Sequence, residues 1–291
     1  MGIDIGQALR EGASRTAAKN GLLLAAVFAG IALLTTVLFQ TLTVAVVDAI
    51  LATFESASPE ELGLSQAEYD EAISEFESAF GDIEETSPLA LGLSVGVATA
   101  GLLVLALAAE AVSIIAVRVF ATGDSEVVTS DVATENILLA TLNGFVGGIV
   151  VWGLIILGSL LFVLPGIILA VLFYFLRQEI AINGKNFVQA MADSWRITKG
   201  NRIEVFLVGA LLVIVSRLEE VSSTAVGVLS TTAGVVAASV VGGVLAAFGA
   251  AVATRAYVQL DDGTEPVTDE PADDEPEDPY DAALGPDDLT R

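Results

Sequence analysis

One acidic residue stands inside a long apolar run of this 291-residue chain. Glu110 lies within residues 89–117, where no other side chain is charged. A carboxylate in the hydrocarbon of a bilayer costs several kcal/mol unless it is paired or protonated, so such residues mark candidate functional sites. Two functions fit Glu110: a proton- or cation-coupled site, or a counter-ion to Arg177. The structural alternative is a hydrogen bond from Glu110 to a neighbouring helix, through Asn143.

Glu110, Asn143, Arg177 and Glu179 together form the candidate intramembrane polar site. Arg177 and Glu179 are two residues apart, and side chains at that spacing point in different directions on a helix. We therefore expect each of them to pair across helices, or to extend toward the membrane interface, rather than to pair with the other.

The residue types that are missing restrict the chemistry. The chain has no His and no Cys, which excludes Cys/His zinc sites, Ser-His-Asp and Cys-His nucleophile systems, and disulfides. No glycine-rich loop has the spacing of a phosphate-binding motif, and no nucleophile–base pair is visible. We predict a protein that is not an enzyme and that has no metal and no cofactor. The composition also excludes nucleic acid as a partner.

The composition indicates a polytopic membrane protein. Hydrophobic residues make up 54% of the chain and charged residues 17%, with a mean hydropathy of +0.73. Soluble domains average about 45–50% apolar and about 25% charged residues. Runs of about 20 apolar residues can cross a bilayer. We predict an all-α membrane bundle of six transmembrane spans, arranged as three hairpins with interfacial helices. The spans are residues 21–47, 89–117, 137–161, 164–176, 203–216 and 224–254.

The positions of Lys and Arg predict the orientation of the chain. Basic residues in short loops face the cytoplasm. With six spans and the N-terminus inside, 11 of the 12 basic residues are cytoplasmic and only Arg217 is outside. We therefore predict a multi-pass protein of the cytoplasmic membrane whose N- and C-termini are both cytoplasmic.

The acidic residues are concentrated in two segments. Of the 37 Asp and Glu residues, 12 fall in the predicted outer loop, residues 48–88, and 13 in residues 257–291. We expect a membrane domain over residues 1–256, with an acidic amphipathic helix at 65–80 in its outer loop, followed by a disordered cytoplasmic tail over 257–291. The net charge of −25 resembles that of proteins from extreme halophiles, which implies an archaeal source.

A short amphipathic helix precedes each predicted hairpin, at residues 3–19, 124–136 and 185–202. The third is the clearest, and its pattern fits a helix lying in the headgroup plane of the membrane. Membrane lipids are therefore the expected partner. The candidate headgroup contacts are Lys185, Trp195, Arg196, Lys199 and Arg202. The alternative is a structural elbow that sets the geometry of the hairpin.

The last predicted span carries small residues at four-residue spacing on two neighbouring faces. Such faces let helix backbones approach closely, and they favour tight packing within the monomer over homodimerisation. The two sets are Ala238, Gly242, Ala246 and Ala250, and Ser239, Gly243, Ala247 and Ala251.

Two motifs connect the chain to a known family. A Leu164-Pro165-Gly166 turn opens a span, and the segment 190–201 carries Ala190, Ser194, Lys199, Gly200 and Asn201. Residues 162–215 thereby resemble the membrane-domain family named after glycerophosphoryl diester phosphodiesterases, and related haloarchaeal six-span proteins. Asn183 departs from the pattern, because an acid often stands there. The resemblance implies a six-span domain, but not diesterase activity, which belongs to a separate soluble domain with metal-binding His residues.

The sequence favours a non-enzymatic membrane scaffold or accessory module. In this interpretation, packed hairpins present the basic interfacial helix to lipids or to partner proteins. The alternative is a small transporter or lipid-handling protein that uses Glu110 and Arg177 in a polar cavity. The two hypotheses differ in one structural feature, because a transporter requires a cavity at this site and a scaffold requires a filled bundle.

Overall fold

The computed structural model of the protein describes residues 2–122 and 134–261. All regular secondary structure in these two ranges is helical. Most of the predicted helix 124–136 and of the predicted tail lies outside the described residues. The helices are α1 (Ile5–Ala17), α2 (Lys19–Ser56), α3 (Gln66–Phe80), α4 (Ile83–Thr86), α5 (Val95–Ala121), α6 (Ile137–Leu161), α7 (Val163–Leu172), α8 (Leu176–Asn183), α9 (Phe187–Ile197), α10 (Arg202–Gly227) and α11 (Thr231–Asp261).

Five described segments are long and apolar enough to cross a membrane. They are α2, α5, α6, α11 and the segment Val163–Asn183, which contains α7 and α8. The predicted span 203–216 lies in α10, which is 26 residues long but is not in this group. The number of charged side chains separates it from the five, because every stretch of 18 residues in this helix contains at least three of them: Arg202, Glu204, Arg217, Glu219 and Glu220. Length, hydropathy and a low number of charges together therefore support five spans, and not the sixth.

The fourth predicted span is a broken helix that is longer than expected. α7 begins at Val163, so Pro165 lies in the first turn, where its missing N–H breaks no helical hydrogen bond. The helix ends at Leu172, and α8 begins at Leu176 after an irregular turn. The segment continues to Asn183, whereas the sequence predicted an end at 176.

The last helix forms the centre of the bundle. α11 packs against α1, α2, α5 and α10, and α2 also packs against α5. One of its two small-residue faces, Ser239, Gly243, Ala247 and Ala251, is buried. At Gly243, an added Cβ would lie 2.4 Å from the backbone nitrogen of Ala29 in α2, so only glycine allows this approach. This face therefore packs within the monomer.

The first amphipathic helix packs on protein rather than on the membrane surface. Ile3 and Ala8, at the start of α1, are buried in a cluster with Val252 and Tyr257 of α11. The Glu11 carboxylate accepts a hydrogen bond from Nε of Arg255. Partial burial raises the pKa of Glu11, but the hydrogen bonds from Gln7 and Arg255 outweigh it and lower the pKa overall. The expectation of an interfacial helix at 3–19 is wrong for its apolar side, because α11 covers it.

Two predicted boundaries shift when the structure is compared with the sequence. The outer loop begins later than residue 48, because α2 continues to Ser56. The acidic helix at 65–80 is confirmed as α3, which starts in a capping box between Ser65 and Glu68. At the other end, α11 runs to Asp261 rather than stopping at residue 256, since Tyr257 and Leu260 are buried in the core.

Candidate functional site

Glu110 and Arg177 form a bidentate ion pair between α5 and α8. Nε of Arg177 donates to Oε1 of Glu110 at 2.9 Å, and Nη2 donates to Oε2 at 2.8 Å. The side chain of Glu110 is only 10% accessible, whereas that of Arg177 is 47% accessible. Two parallel charge-assisted hydrogen bonds are the strongest geometry available to this pair. Of the two functions that the sequence offered for Glu110, the counter-ion to Arg177 matches the geometry.

Glu110 fits between the helices because the facing residue on α6 is a glycine. A Cβ added to Gly144 would lie 2.3 Å from Oε1 of Glu110, which is closer than van der Waals contact allows. The carboxylate therefore lies directly against the α6 backbone. Asn143, the neighbour of Gly144, does not bind Glu110 and was the wrong partner to expect.

Asn143 instead stabilises the start of α9. Its Oδ1 accepts a hydrogen bond from the backbone N–H of Phe187 at 3.1 Å, and its Nδ2 donates to the carbonyl of Leu139. The first N–H groups of a helix have no partner within the helix. Asn143 supplies one partner from α6, and Asn186 caps Gln189 from within α9.

Glu179 lies in a second polar cluster, apart from Glu110. Its Oε2 accepts hydrogen bonds from Lys185 Nζ at 2.8 Å and from Asn183 Nδ2 at 3.0 Å. Asn183 also donates to the hydroxyl of Tyr257 in α11, at 2.8 Å. Glu179 is 3% accessible, so it is a buried charge, and both of these donors bond its Oε2. As predicted, Arg177 and Glu179 do not pair with each other. Arg177 pairs across helices with Glu110, whereas Glu179 bonds Asn183 of its own helix and Lys185 of the connection to α9, so the expected pairing across helices holds for Arg177 alone.

The cluster continues from Lys185 into α9. Nζ of Lys185 also pairs with Oδ2 of Asp193 at 2.7 Å, and Oδ1 of Asp193 accepts from Nη1 of Arg196. Partial burial lowers the pKa of Lys185, but the bonds to Asp193 and Glu179 outweigh it and raise the pKa overall. The bond from Lys185 is the main cause that lowers the pKa of Asp193. The ammonium group of Lys185 therefore pairs with two carboxylates, and it is not the lipid headgroup contact that the sequence predicted.

Ser194 fills the gap between α7 and α8. Its hydroxyl donates to the carbonyl of Leu172 at 2.9 Å and accepts from the N–H of Phe175 at 3.1 Å. These are backbone groups left without helical partners where the helix breaks. Ser194 is completely buried, as is Ala190 one turn earlier. Both belong to the family-like motif, which was the only sequence signal for this contact.

The remaining predicted headgroup contacts form an accessible patch beside α9. Trp195 is 47% accessible, and the side chain of Arg196 is 76% accessible. The guanidinium of Arg202 lies 5.9 Å from the centroid of the Trp195 ring, within the range of a cation–π contact. Lys199 is also exposed. We call Trp195, Arg196, Lys199 and Arg202 the α9 patch.

A cavity of about 370 Å³ lies next to the helix break. Arg177 borders it, whereas Glu110 does not, and Asn143 lines a different cavity, together with Thr122 and Glu135. The predicted site residues therefore do not converge on one cavity. Gln178 lies in the wall near Arg177, and its Oε1 is buried without a hydrogen-bond partner. The lining consists of Phe28, Ser113, Val117, Tyr174, Arg177, Gln178, Leu212, Ala246, Gly249, Ala250 and Ala253.

The buried carboxylates of the predicted site do not come together. Glu110 and Glu179 are each paired with a cation and lie in separate clusters. Within residues 2–122 and 134–261, no group of three or more His, Cys, Asp or Glu side chains could hold a metal ion. The predicted site residues that stay accessible include Arg177 and the α9 patch.

A family model described as Domain of unknown function (DUF7847) matches residues 3–260. The matched range starts before α1 and ends within the last turn of α11, so the family model covers α1 and residues 257–260 together with the candidate spans. No curated protein matches the chain, and no solved structure matches it either.

Proposed function

The chain belongs to the family of the domain of unknown function DUF7847, and we propose that it is a non-enzymatic membrane scaffold or accessory module. In this role a rigid bundle presents the α9 patch to lipid headgroups or to a partner protein. The role depends on a surface that is held in place, and not on a reaction.

One observation carries the proposal: each predicted polar site residue ties one helix to another. Glu110 and Arg177 link α5 to α8, and Asn143 links α6 to α9. Glu179 is linked through Asn183 to Tyr257 of α11. Buried polar groups that are fully bonded rigidify a structure. The charges that a transporter would use, Glu110 and Arg177, are engaged here in holding α5 and α8 together.

The proposal includes six spans with both termini in the cytoplasm. α10 is 26 residues long, and at 1.5 Å per residue its length is about 39 Å, more than the hydrocarbon thickness of about 30 Å. With α10 as a span, the polar connections before α9 and after it face the same side as the N-terminus. The helices would then form three hairpins, α2 with α5, α6 with α7 and α8, and α10 with α11.

The scaffold role predicts that Trp195 lies at the boundary between headgroups and acyl chains. The chain has two tryptophans, so Trp152→Phe leaves Trp195 as the single fluorescent reporter. In proteoliposomes, lipids brominated at different depths should quench it most strongly near the interface, because aromatic side chains of interfacial helices insert about 5–10 Å. Strong quenching by aqueous iodide, with none from brominated lipid, would contradict the proposal.

The basic residues of the α9 patch supply the control. At low salt, Trp195 quenching by brominated lipid should be stronger in vesicles that contain anionic lipid than in neutral vesicles. A triple variant should lose this difference: Arg196→Gln, Lys199→Gln and Arg202→Gln. At 1 M salt the Debye length is about 3 Å, so the wild-type preference should also disappear. The depth of Trp195 should stay the same at high salt, since apolar contacts hold it.

A small transporter or lipid-handling protein is the second candidate, and the cavity beside Arg177 favours it. A completely filled bundle would leave no space next to an intramembrane arginine. In this alternative the Glu110–Arg177 pair separates during a cycle, and Arg177 binds the transported group. Uptake into proteoliposomes that Glu110→Gln abolishes would support transport over the scaffold.

A further inference from the structure

The cavity beside the helix break has one polar wall and one apolar wall. Tyr174, Arg177 and Gln178 line it from the broken helix, and Ser113 adds a hydroxyl from α5. Across from them, α11 contributes only small residues, at positions 246, 249, 250 and 253. Because small side chains leave the space unfilled, the second small-residue face of α11 creates room opposite Arg177.

Arg177 presents unused donors to this cavity. Glu110 occupies the side edge of the guanidinium, formed by Nε and Nη2. The end edge, formed by Nη1 and the second N–H of Nη2, has no partner in the part of the chain that the structure describes. Almost half of the side chain, 47%, is accessible although it is surrounded by helices. The end edge is a two-donor fork, which matches two oxygens of a phosphate or carboxylate.

We propose that this cavity binds a phosphate group, either inorganic phosphate or the phosphate of a lipid headgroup. A phosphate offers oxygens in four directions, which suits donors from Arg177, Ser113 and Tyr174, whereas a carboxylate offers two oxygens in one plane. The volume of about 370 Å³ corresponds to about 12 water molecules, enough for a headgroup but not for acyl chains.

The proposal is independent of the scaffold role, because the α9 patch and the cavity share no residue. It would also supply the ligand that the transport alternative requires. A protein could pass the Trp195 test and fail the binding test, or the reverse, so the two proposals fail separately.

The test is calorimetric titration of the full chain in a maltoside detergent. The probes are sodium phosphate, dihexanoyl phosphatidylglycerol, sodium acetate and phosphate-free dihexanoylglycerol. We expect saturable binding of phosphate, of the phospholipid, or of both, and weaker binding of acetate and of dihexanoylglycerol. Binding of the phospholipid alone identifies a headgroup, and binding of phosphate alone identifies a soluble ligand. Absence of both, or acetate bound more tightly than phosphate, overturns the proposal.

Two variants locate the binding at the cavity. Ala246→Leu places a larger side chain in the open space and should abolish saturable binding, whereas Val244→Leu, on the same helix but outside the lining, should not change it. Arg177→Lys keeps the charge opposite Glu110 but loses the fork, and should weaken binding by about tenfold. Equal affinity of the wild type and Ala246→Leu would overturn the assignment, even if Arg177→Lys does not fold.

Discussion

At the scale of single residues, the two buried carboxylates of the predicted site are each paired with a cation. Glu110 is 9% accessible and Glu179 is 3% accessible, so an unpaired charge at either position would be severely unfavourable. Each carboxylate receives two hydrogen bonds from cationic or amide donors. The geometry of these bonds offsets the cost of removing the charges from water.

Glu110→Gln should destabilise the bundle because it leaves the Arg177 charge without a carboxylate. Loss of one partner of a fully buried pair costs about 3–5 kcal/mol. Since Arg177 is half accessible, we expect about 1–3 kcal/mol in the free energy of unfolding, measured by denaturant unfolding in detergent. Glu71→Gln, on the exposed face of α3, is the matched control and should have no effect.

The double variant Glu110→Gln with Arg177→Gln separates charge from packing. Two amides can hydrogen-bond without leaving a net charge, so the double variant should be more stable than the sum of the single variants predicts. If the change in unfolding free energy of the double variant equals the sum of the changes in the two single variants, the two side chains do not interact.

The sequence revealed the charged residues of the site but not the residues that accommodate them. Glu110 was recognisable because every neighbour in its run is uncharged. Tyr257 gave no such signal, since a tyrosine in an apolar helix is ordinary. The spacing of Gly144 and Gly148 predicts a small-residue face on α6 that lets a neighbour approach closely, but not that Glu110 is this neighbour. Their roles depend on which helix lies opposite, and this is set by three-dimensional packing rather than by local spacing.

At the scale of helices, the break between α7 and α8 organises the site. The turn at residues 173–175 directs Arg177 toward α5, and it leaves Tyr174 and Gln178 beside the cavity. A continuous helix would need no external partner here. The broken helix exposes the carbonyl of Leu172 and the N–H of Phe175, and Ser194 bonds both.

Ser194→Ala should destabilise the break specifically. The change leaves a buried N–H and a buried carbonyl without partners, which costs about 1–3 kcal/mol. Hydrogen exchange followed by mass spectrometry should show faster exchange in peptides that cover residues 172–176. Ser216→Ala removes an accessible hydroxyl that bonds only the carbonyl of Val213 within its own helix, and it should leave this exchange unchanged. Unaltered protection of residues 172–176 in Ser194→Ala would refute the role of Ser194.

Helical periodicity predicted the amphipathic helices but not what covers their apolar sides. α1 and α9 both have the expected pattern, yet α11 covers the apolar side of α1, and Phe187 and Met191 of α9 pack on a protein cluster. Trp195 of α9, in contrast, is 47% accessible. A repeat of 3.6 residues shows that a helix has one apolar face. Lipid and protein can cover such a face equally well, so the sequence could not show which of them covers α1 and α9.

At the scale of the whole molecule, α10 decides how many times the chain crosses the membrane. The number of its charges, with Arg217, Glu219 and Glu220 close together, excludes it from the candidate spans, but it packs along α11, a candidate span of 31 residues. A helix that lines the central span of the bundle needs little apolar surface on that side. The charged end can then lie at the outer interface, where Arg217 and Glu220 pair at 3.5 Å.

Site-directed labelling can test this topology directly, because the natural chain has no cysteine. Single substitutions Ser78→Cys, in α3, and Ser230→Cys, between α10 and α11, should react with a membrane-impermeant maleimide in intact cells. Ser14→Cys, on the exposed side of α1, should react only after permeabilisation, because six spans place it in the cytoplasm with 11 of the 12 basic residues. If α10 does not cross, Ser230→Cys is protected while Ser78→Cys still reacts, and the C-terminal residues are outside. Labelling of Ser230→Cys therefore distinguishes six spans from five, and Ser78→Cys shows that the reagent and the orientation are as expected.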